Sequence, residues 1–202
     1  MFITFEGIDG SGKSTQLQLL ADTLMATGKK VLLTREPGGT ALAENLRKVL
    51  LESNVSAHAE LLLFGAARAQ HVDEVIKPAL QNGAIVLSDR FADSSVAYQG
   101  GGLKLSADFI DAMNQFACAD LRPDLTFLLD IDPLAGNKRQ QLNHQKPDTI
   151  ESRGLGFLER VRQAYLQIAL HDSQRVIVVN AARAPVAVQC DIHNALQQRG
   201  VL

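Results

Sequence analysis

Short runs of apolar residues alternate along this chain with longer segments in which apolar residues recur at helical spacing. Runs that are apolar almost throughout are typical of parallel strands that are covered on both faces. Such runs predict strands over residues 2–6, 31–34, 85–88, 125–131 and 175–179.

The segments between the predicted strands carry the period of amphipathic helices. The first of these helices follows Ser14, and Gly28 marks its C-terminal end. Further helices are predicted over residues 41–52, 58–80, 107–118, 157–169 and 185–198. Because strands alternate with helices, the pattern predicts an α/β fold, with a doubly wound parallel sheet of five strands and helices on both faces.

Residues 137–156 differ from the rest of the chain. The segment is polar, contains Pro147 and Gly154, and has no sustained apolar period. A solvated loop and a mobile lid both fit this composition. No repeat, low-complexity tract or linker divides the chain, so residues 1–202 are predicted to form a single domain.

The composition excludes several classes of protein. Hydrophobic residues make up 46% and charged residues 21% of the 202 residues, which excludes intrinsic disorder. The net charge of −2 provides no global basic field, so we expect neither nucleic acid nor a membrane as a partner. The chain lacks a membrane-spanning run and the pattern of a signal peptide, and its two cysteines suit a reducing compartment. We therefore expect a cytoplasmic protein.

The strongest motif is the phosphate loop, Gly7-Ile8-Asp9-Gly10-Ser11-Gly12-Lys13-Ser14, which matches G-x-x-x-x-G-K-[ST] between a predicted strand and a predicted helix. Its glycines let successive backbone N–H groups face a phosphate chain, and the helix N-terminus adds partial positive charge. Lys13 is predicted to reach the β- and γ-phosphates, and the Ser14 hydroxyl to bind Mg²⁺. The motif predicts a nucleoside triphosphate but does not identify the phosphate acceptor.

Asp89 and Arg90 follow the third predicted strand, at the edge where α/β sheets bind ligands. Asp89 could support the Mg²⁺ ion, and Arg90 could clamp a phosphate group, although a surface ion pair is the alternative. Asp9 is unusual within a phosphate loop. Its carboxylate would repel a triphosphate unless it faces another partner, such as a sugar hydroxyl or an arginine.

Two further groups could recognise a base. Phe64 and Arg68 lie four residues apart on one predicted helix, so a ring and a guanidinium share a face, although Phe64 could equally belong to the core. Tyr98 and Gln99 precede three consecutive glycines, which predicts a flexible loop that presents an aromatic ring and an amide. Gln99 could read the edge of a base.

Together these motifs resemble those of bacterial thymidylate kinases, which are P-loop nucleoside monophosphate kinases. The resemblance runs from residue 2 to about residue 170, and the order and spacing of its motifs are specific. The motifs are residues 5–15, 34–40, 64–71, 89–95 with 98–100, and 122–126. The resemblance implies a P-loop kinase fold with a short lid, and a homodimer that moves the γ-phosphoryl group of ATP to dTMP. The product, dTDP, would feed dTTP synthesis for DNA replication.

The resemblance also implies roles for particular residues. Phe64 would stack on thymine, Arg68 would donate to a base carbonyl, and Arg90 would bind the 5′-phosphate. Ser95 and Gln99 would contact the base, Tyr98 would close against the deoxyribose, and Arg35 belongs to the same dTMP site. Asp9 would organise the acceptor side of the phosphate loop, and a cis bond is expected before Pro37. The implied ATP-binding residues are Gly7, Ile8, Asp9, Gly10, Ser11, Gly12, Lys13, Ser14, Thr15 and Arg139, with Ser14 and Asp89 at the Mg²⁺ ion.

One position departs from the family pattern. Relatives without an arginine in the phosphate loop carry one in the lid, and Thr149 occupies that position here. Lys13, Asp9 and Arg90 are the other predicted catalytic residues. The transition state still needs a second cation besides Lys13. We expect Arg153 to supply it, with Lys146 as the second candidate. The alternative is that Arg153 only pairs with Glu151 or Glu159 at the surface.

Other functions stay open at this level. The runner-up among enzymes is a deoxynucleoside kinase or another nucleoside monophosphate kinase. A nucleoside kinase would need a base for a neutral 5′-hydroxyl, and Glu6 could serve, although Arg90 and Arg68 favour a phosphorylated acceptor. A nucleotide-dependent switch would need switch segments or a surface that binds a partner, and the sequence shows no pattern for either.

Overall fold

A five-stranded parallel sheet lies at the centre of the computed structural model, which describes residues 1–142 and 153–201. The strand order is β2-β3-β1-β4-β5, so the predicted doubly wound fold class is confirmed. The strands are β1 (Phe2–Glu6), β2 (Val31–Arg35), β3 (Ile85–Asp89), β4 (Leu125–Asp130) and β5 (Val176–Asn180). Each predicted strand is therefore confirmed within one residue at either end.

Helices cover both faces of this sheet. Side chains of β1 alternate between the faces: Phe2 packs with Phe91 in one apolar cluster, whereas Ile3 and Phe5 belong to the other. The helices are α1 (Lys13–Ala26), α2 (Ala41–Glu52), α3 (Ala57–His71), α4 (Lys77–Gln81), α5 (Ala92–Ser95), α6 (Ala107–Cys118), α7 (Pro133–Leu142), α8 (Leu155–His171) and α9 (Pro185–Gln198). In the described ranges, no helix is both long and apolar enough to cross a membrane.

The long helix predicted over residues 58–80 is interrupted. A π-helical turn, Val72–Ile76, separates α3 from α4. Pro78 lies in the first turn of α4 and has no backbone N–H, so the regular α-helical ladder cannot continue through this point.

The prediction of a flexible loop around Tyr98 is wrong. Residues Val96–Gly102 form a second π-helical turn, and both Tyr98 and Gln99 are buried. The glycines that suggested flexibility permit close packing instead. A Cβ atom on Gly101 would lie 2.4 Å from Cβ of Ala164 in α8.

The predicted loop or lid at 137–156 is partly helical. Residues 137–142 belong to α7, whose first turn is capped by Asp132: its side chain accepts from the N–H groups of Leu134 and Ala135. Helix α8 begins at Leu155, two residues before the predicted start. Lys146, Thr149 and Glu151 lie outside the described residues.

Candidate active site

The phosphate loop joins β1 to α1 in a conformation that requires glycine. Gly10 and Gly12 have φ angles of 77° and 93°, in the left-handed region. A Cβ atom on Gly10 would lie 2.2 Å from the carbonyl oxygen of Gly136, so α7 closes directly against the loop. Lys13 folds back over the loop, where its Nζ donates to the carbonyl oxygens of Gly7 and Ile8 at 3.2 and 3.1 Å.

The two predicted metal-binding residues meet beside this loop. The Ser14 hydroxyl donates to Oδ2 of Asp89 at 2.7 Å. They come together because β1 and β3 are adjacent parallel strands, with Phe5 in register with Asp89. Across the described ranges, no cluster of three or more His, Cys, Asp or Glu side chains could hold a metal alone. A hydroxyl and one carboxylate fit Mg²⁺, which takes few protein ligands and completes its shell with substrate phosphates and water.

Arg90 connects the loop to the cavity beside it. Its Nη2 donates to Oδ1 of Asp9 at 2.6 Å and to the Tyr98 hydroxyl at 3.1 Å, and its Nη1 donates to the Gly7 carbonyl at 3.0 Å. Burial is the largest single influence on both partners of the ion pair and opposes their charge, but their mutual attraction and the other charges and hydrogen bonds around them together outweigh it. The pKa of Asp9 accordingly falls to about 2, helped by Lys13, and the pKa of Arg90 rises. An arginine is thus the partner that Asp9 needs within a phosphate loop.

Glu6 lies behind Arg90 and is 1% exposed. It accepts hydrogen bonds from the Phe91 N–H at 2.7 Å, the Ser94 hydroxyl at 2.6 Å and the Tyr165 hydroxyl at 2.7 Å. Burial, with a smaller contribution from Asp93, raises the pKa of Glu6 to about 7 despite Arg90. Glu6 does not line the cavity, so the structure does not favour it as a base for a nucleoside hydroxyl.

A cavity of about 450 Å³ opens between the phosphate loop and the helices that follow β2 and β3. Its walls contain predicted residues from both halves of the site. Those on the loop side are Asp9, Gly10, Gly12, Lys13, Ser14 and Thr15, and those on the acceptor side are Arg35, Phe64, Asp89, Arg90, Ser95, Tyr98 and Gln99.

Comparisons with known proteins agree with this geometry. The sequence model of the family described as thymidylate kinase matches residues 5–192. The chain belongs to the thymidylate kinase family. It is therefore an enzyme, a phosphotransferase.

Individual relatives match nearly the whole chain. A thymidylate kinase of Pelobacter propionicus is 47% identical over 189 residues, which span 90% of this chain and 86% of that protein. One of Trichlorobacter lovleyi is 44% identical over 207 residues, 98% of each chain. The crystal structure of thymidylate kinase from Ehrlichia chaffeensis is 36% identical, with a TM-score of 0.82 over 97% of this chain and 98% of that one.

Within this thymidylate kinase fold, Phe64 and Arg68 have different surroundings. Phe64 is half-buried, packs against the core and also lines the cavity, and its stacking on a base stays a prediction. Arg68 is 1% exposed and does not line the cavity. It donates to Glu36 at 2.8 Å and to the hydroxyl of Ser95, a cavity residue, at 3.1 Å. A direct contact between Arg68 and a base stays a prediction.

Three more predicted arginines are paired. Arg35 lines the cavity and pairs with Glu44 at 3.0 Å. Arg139 donates to the carbonyl oxygens of Ala181 and Ala182, at 2.9 and 3.3 Å, and lies outside the cavity wall. Arg153 also lies outside it and pairs with the buried Glu60 rather than with Glu159. Its role as the second cation stays a prediction. The expected cis bond between Glu36 and Pro37 is confirmed.

Sequence reasoning missed part of the cavity wall. Glu36 lines it and is 5% exposed, held by Arg68 and by His71 at 3.1 Å. Arg47 lines it too, and donates to the Pro37 carbonyl at 3.1 Å. The i, i+4 spacing of Arg47 and Leu51 places both on one face of α2, but no motif marks that face as part of a site. The remaining missed residues of the wall are Pro37, Ser94 and Gln140 of α7.

Proposed function

We propose that the phosphate loop of this phosphotransferase binds ATP, that the cavity beyond Arg90 binds dTMP, and that the γ-phosphoryl group passes directly between them to form dTDP. The observation that carries this proposal is the position of Arg90. Arg90 contacts Asp9 and Gly7 of the loop and also lines the cavity. A phosphate bound there would face the γ-phosphate across a single guanidinium group.

On the donor side, the loop N–H groups and the N-terminus of α1 bind the phosphate chain, and Lys13 adds a positive charge. Ser14 and Asp89 would hold Mg²⁺. When bound, this ion neutralises charge on the β- and γ-phosphate oxygens. Arg139 remains our candidate for a residue near the adenine.

On the acceptor side, Arg90 binds the 5′-phosphate while Asp9 and Tyr98 hold its guanidinium in place. A phosphate oxygen is already anionic, so the transfer needs alignment and positive charge rather than a general base. The location of Glu6 outside the cavity agrees with such a reaction. Phe64, Ser95 and Gln99 contact the base, and Tyr98 lies against the sugar.

We also propose that the enzyme is a homodimer that works in the cytoplasm. Three large apolar side chains on the packed pair α3 and α6 are exposed: Leu62 at 54%, Phe109 at 53% and Phe116 at 88%. Apolar surface of this kind marks a protein interface, and a second copy of the chain is the partner that the family resemblance implies. Both cysteines are free, which suits a reducing compartment.

A steady-state assay with ATP and a panel of acceptors tests the activity. We expect dTMP to be the best substrate. The missing methyl group of dUMP is worth only about 1–3 kcal/mol, so dUMP should be a poorer substrate rather than an inert one. Thymidine should be far worse, because Arg90 would lack its anion.

The same panel separates the alternatives. Thymidine phosphorylated as fast as dTMP would indicate a nucleoside kinase. ATP binding with no phosphorylated product from any acceptor would indicate a nucleotide-dependent switch.

A further inference from the structure

A buried carboxylate determines which way the Gln99 amide faces. Glu60, in the first turn of α3, is 1% exposed. Its Oε1 accepts from the Gln99 Nε2 at 2.9 Å and from the Arg153 Nη1 at 3.1 Å, and its Oε2 accepts from the Arg153 Nη2. Only Gln99 of these three residues lines the cavity.

An ionised carboxylate can only accept hydrogen bonds. Gln99 must therefore turn its NH₂ group toward Glu60 and its carbonyl oxygen, Oε1, away from it. Gln99 is 2% exposed, and among the described residues its Oε1 has no hydrogen-bond partner. Because Gln99 lines the cavity, this oxygen is the group that it presents to a ligand.

Arg153 fixes the Glu60 carboxylate in place. Its planar guanidinium meets both oxygens of Glu60, a geometry that suits an arginine and a carboxylate. With both oxygens held, Glu60 keeps an acceptor against the NH₂ group of Gln99.

We propose that Glu60 and Arg153 are positioning residues for base selectivity: they hold Gln99 as a hydrogen-bond acceptor, so that the cavity selects pyrimidines with an N–H at ring position 3. Thymine and uracil carry that N–H, whereas N3 of cytosine is itself an acceptor. This inference rests on the proposed binding of dTMP in the cavity, with its base beside Gln99.

Ser95 supplies the complementary group without the same selectivity. Its hydroxyl oxygen accepts from Arg68 at 3.1 Å, which leaves its proton able to donate to a base carbonyl. A hydroxyl proton rotates to suit its partner, whereas the amide of Gln99 is held by Glu60. Of these two cavity residues, Gln99 is therefore the one whose orientation discriminates against cytosine.

The test compares kcat/KM for dTMP and dCMP in the wild type, Glu60→Gln and Arg153→Gln. Both substitutions let the Gln99 amide turn, so the dCMP-to-dTMP ratio should rise at least about tenfold, which matches the effect of one mispaired hydrogen bond. Arg162→Gln is the matched control. Arg162 lies further along the chain, on α8, and pairs with Asp130 at 2.7 Å, but does not contact Glu60. It should leave the ratio unchanged, and Arg153→Lys should restore it in part.

An unchanged ratio in a folded Glu60→Gln or Arg153→Gln variant would overturn the inference. So would a loss of dTMP turnover of about 10³-fold or more at an unchanged ratio, which would assign Arg153 to phosphoryl transfer instead. The wild type provides a test that needs no variant: N3-methyl-dTMP should bind at least about tenfold more weakly than dTMP, and equal affinity would overturn the inference. Absence of dTMP phosphorylation by the wild type would reject the proposed function itself.

Discussion

Two carboxylates near Arg90 have opposite properties because their nearest neighbours differ. Asp9 touches the guanidinium at 2.6 Å, and its pKa falls to about 2. Glu6 is surrounded by hydroxyl groups and a backbone N–H, and its pKa rises to about 7 because it is buried. Environments that separate the pKa values of neighbouring acids give them different roles. Asp9 therefore stays ionised and holds the Arg90 guanidinium in place, whereas Glu6 makes the free energy of unfolding depend on pH.

Lys13→Ala should leave the fold intact and lower turnover by about 10²–10³-fold, because the developing charge on the phosphoryl group loses its nearest cation. The measurement is the rate of dTDP formation at saturating ATP and dTMP, with folding checked by circular dichroism. Lys29→Ala, at an exposed lysine after α1, should behave like the wild type. Near-normal turnover in folded Lys13→Ala would show that the phosphate loop is not the catalytic centre.

Glu6 should make the wild type less stable as the pH rises from about 5 to 7. Its pKa is about 7 in the native state against 4.5 in the unfolded chain, so the native state binds the extra proton in this interval. The stability linked to this proton is present at low pH and is lost as the pH rises through the native pKa. The full effect is of the order of 3 kcal/mol.

Glu6→Gln removes this titration. Urea denaturation measures the free energy of unfolding of both proteins at about pH 5 and about pH 8. The difference between them should change in favour of the variant as the pH rises. Glu52→Gln, at an exposed position, should show no such trend. A constant difference between Glu6→Gln and the wild type at the two pH values would contradict the assignment.

At the scale of elements, the π-helical turn Val96–Gly102 and helix α8 form one packed unit that positions the acceptor side of the cavity. The turn carries Tyr98 and Gln99, and Phe157 and Tyr165 of α8 pack against the Tyr98 ring at centroid distances of 6.1 and 6.3 Å. Arg160 of α8 also donates to the Gly102 carbonyl at 3.3 and 3.1 Å. Changes in the packing between this turn and α8 should therefore alter the affinity for dTMP.

Gly101→Ala should lower the free energy of unfolding by about 1–3 kcal/mol and raise the KM for dTMP, because the new methyl group meets Ala164 at 2.4 Å. Urea denaturation and steady-state kinetics measure the two effects. Gly156→Ala is the matched control, since a Cβ atom there has no neighbour within 4 Å; it should leave stability equal or slightly higher. Equal behaviour of the two variants would show that the turn and α8 are not tightly packed.

At the scale of the whole molecule, the proposed dimer depends on the outer surface of α3 and α6. These helices pack closely, and a Cβ atom on Gly65 of α3 would lie 2.5 Å from the sulfur of Met113 in α6. The same α3 carries Phe64 on the cavity wall and Glu60 beneath Gln99. An interface on this pair would therefore stabilise an element that also forms the acceptor site.

Phe116→Glu should convert the dimer to a monomer, because it places a charge in an interface that must lose its water. Light scattering after size-exclusion chromatography gives the mass. Leu170→Glu, at an apolar position on α8 that is 73% exposed, should leave the mass unchanged. A monomeric wild type would reject the proposed interface.

The sequence by itself determined the sheet, the phosphate loop and the residues at the strand ends. Parallel strands covered on both faces have nearly continuous apolar runs, so the five strands could be located within a residue at either end. The loop needs glycines at left-handed φ angles followed by a helix, and this requirement is met within a few consecutive residues. Asp89 ends β3 and Arg90 follows it directly, so the parallel topology alone brings them to the edge of the sheet beside the loop.

Only the tertiary structure decided which side chains face each other across the fold. The glycines after Gln99 permit packing rather than motion, because α8, far along the chain, occupies the space beside them. The buried Arg68 donates hydrogen bonds to Glu36 and Asn114. Arg153 pairs with Glu60, which lies 93 residues earlier in the sequence. A local conformational requirement is encoded within neighbouring residues, whereas the partner of a long charged side chain depends on which elements pack together. The spacing of residues within one element carries no information about that packing.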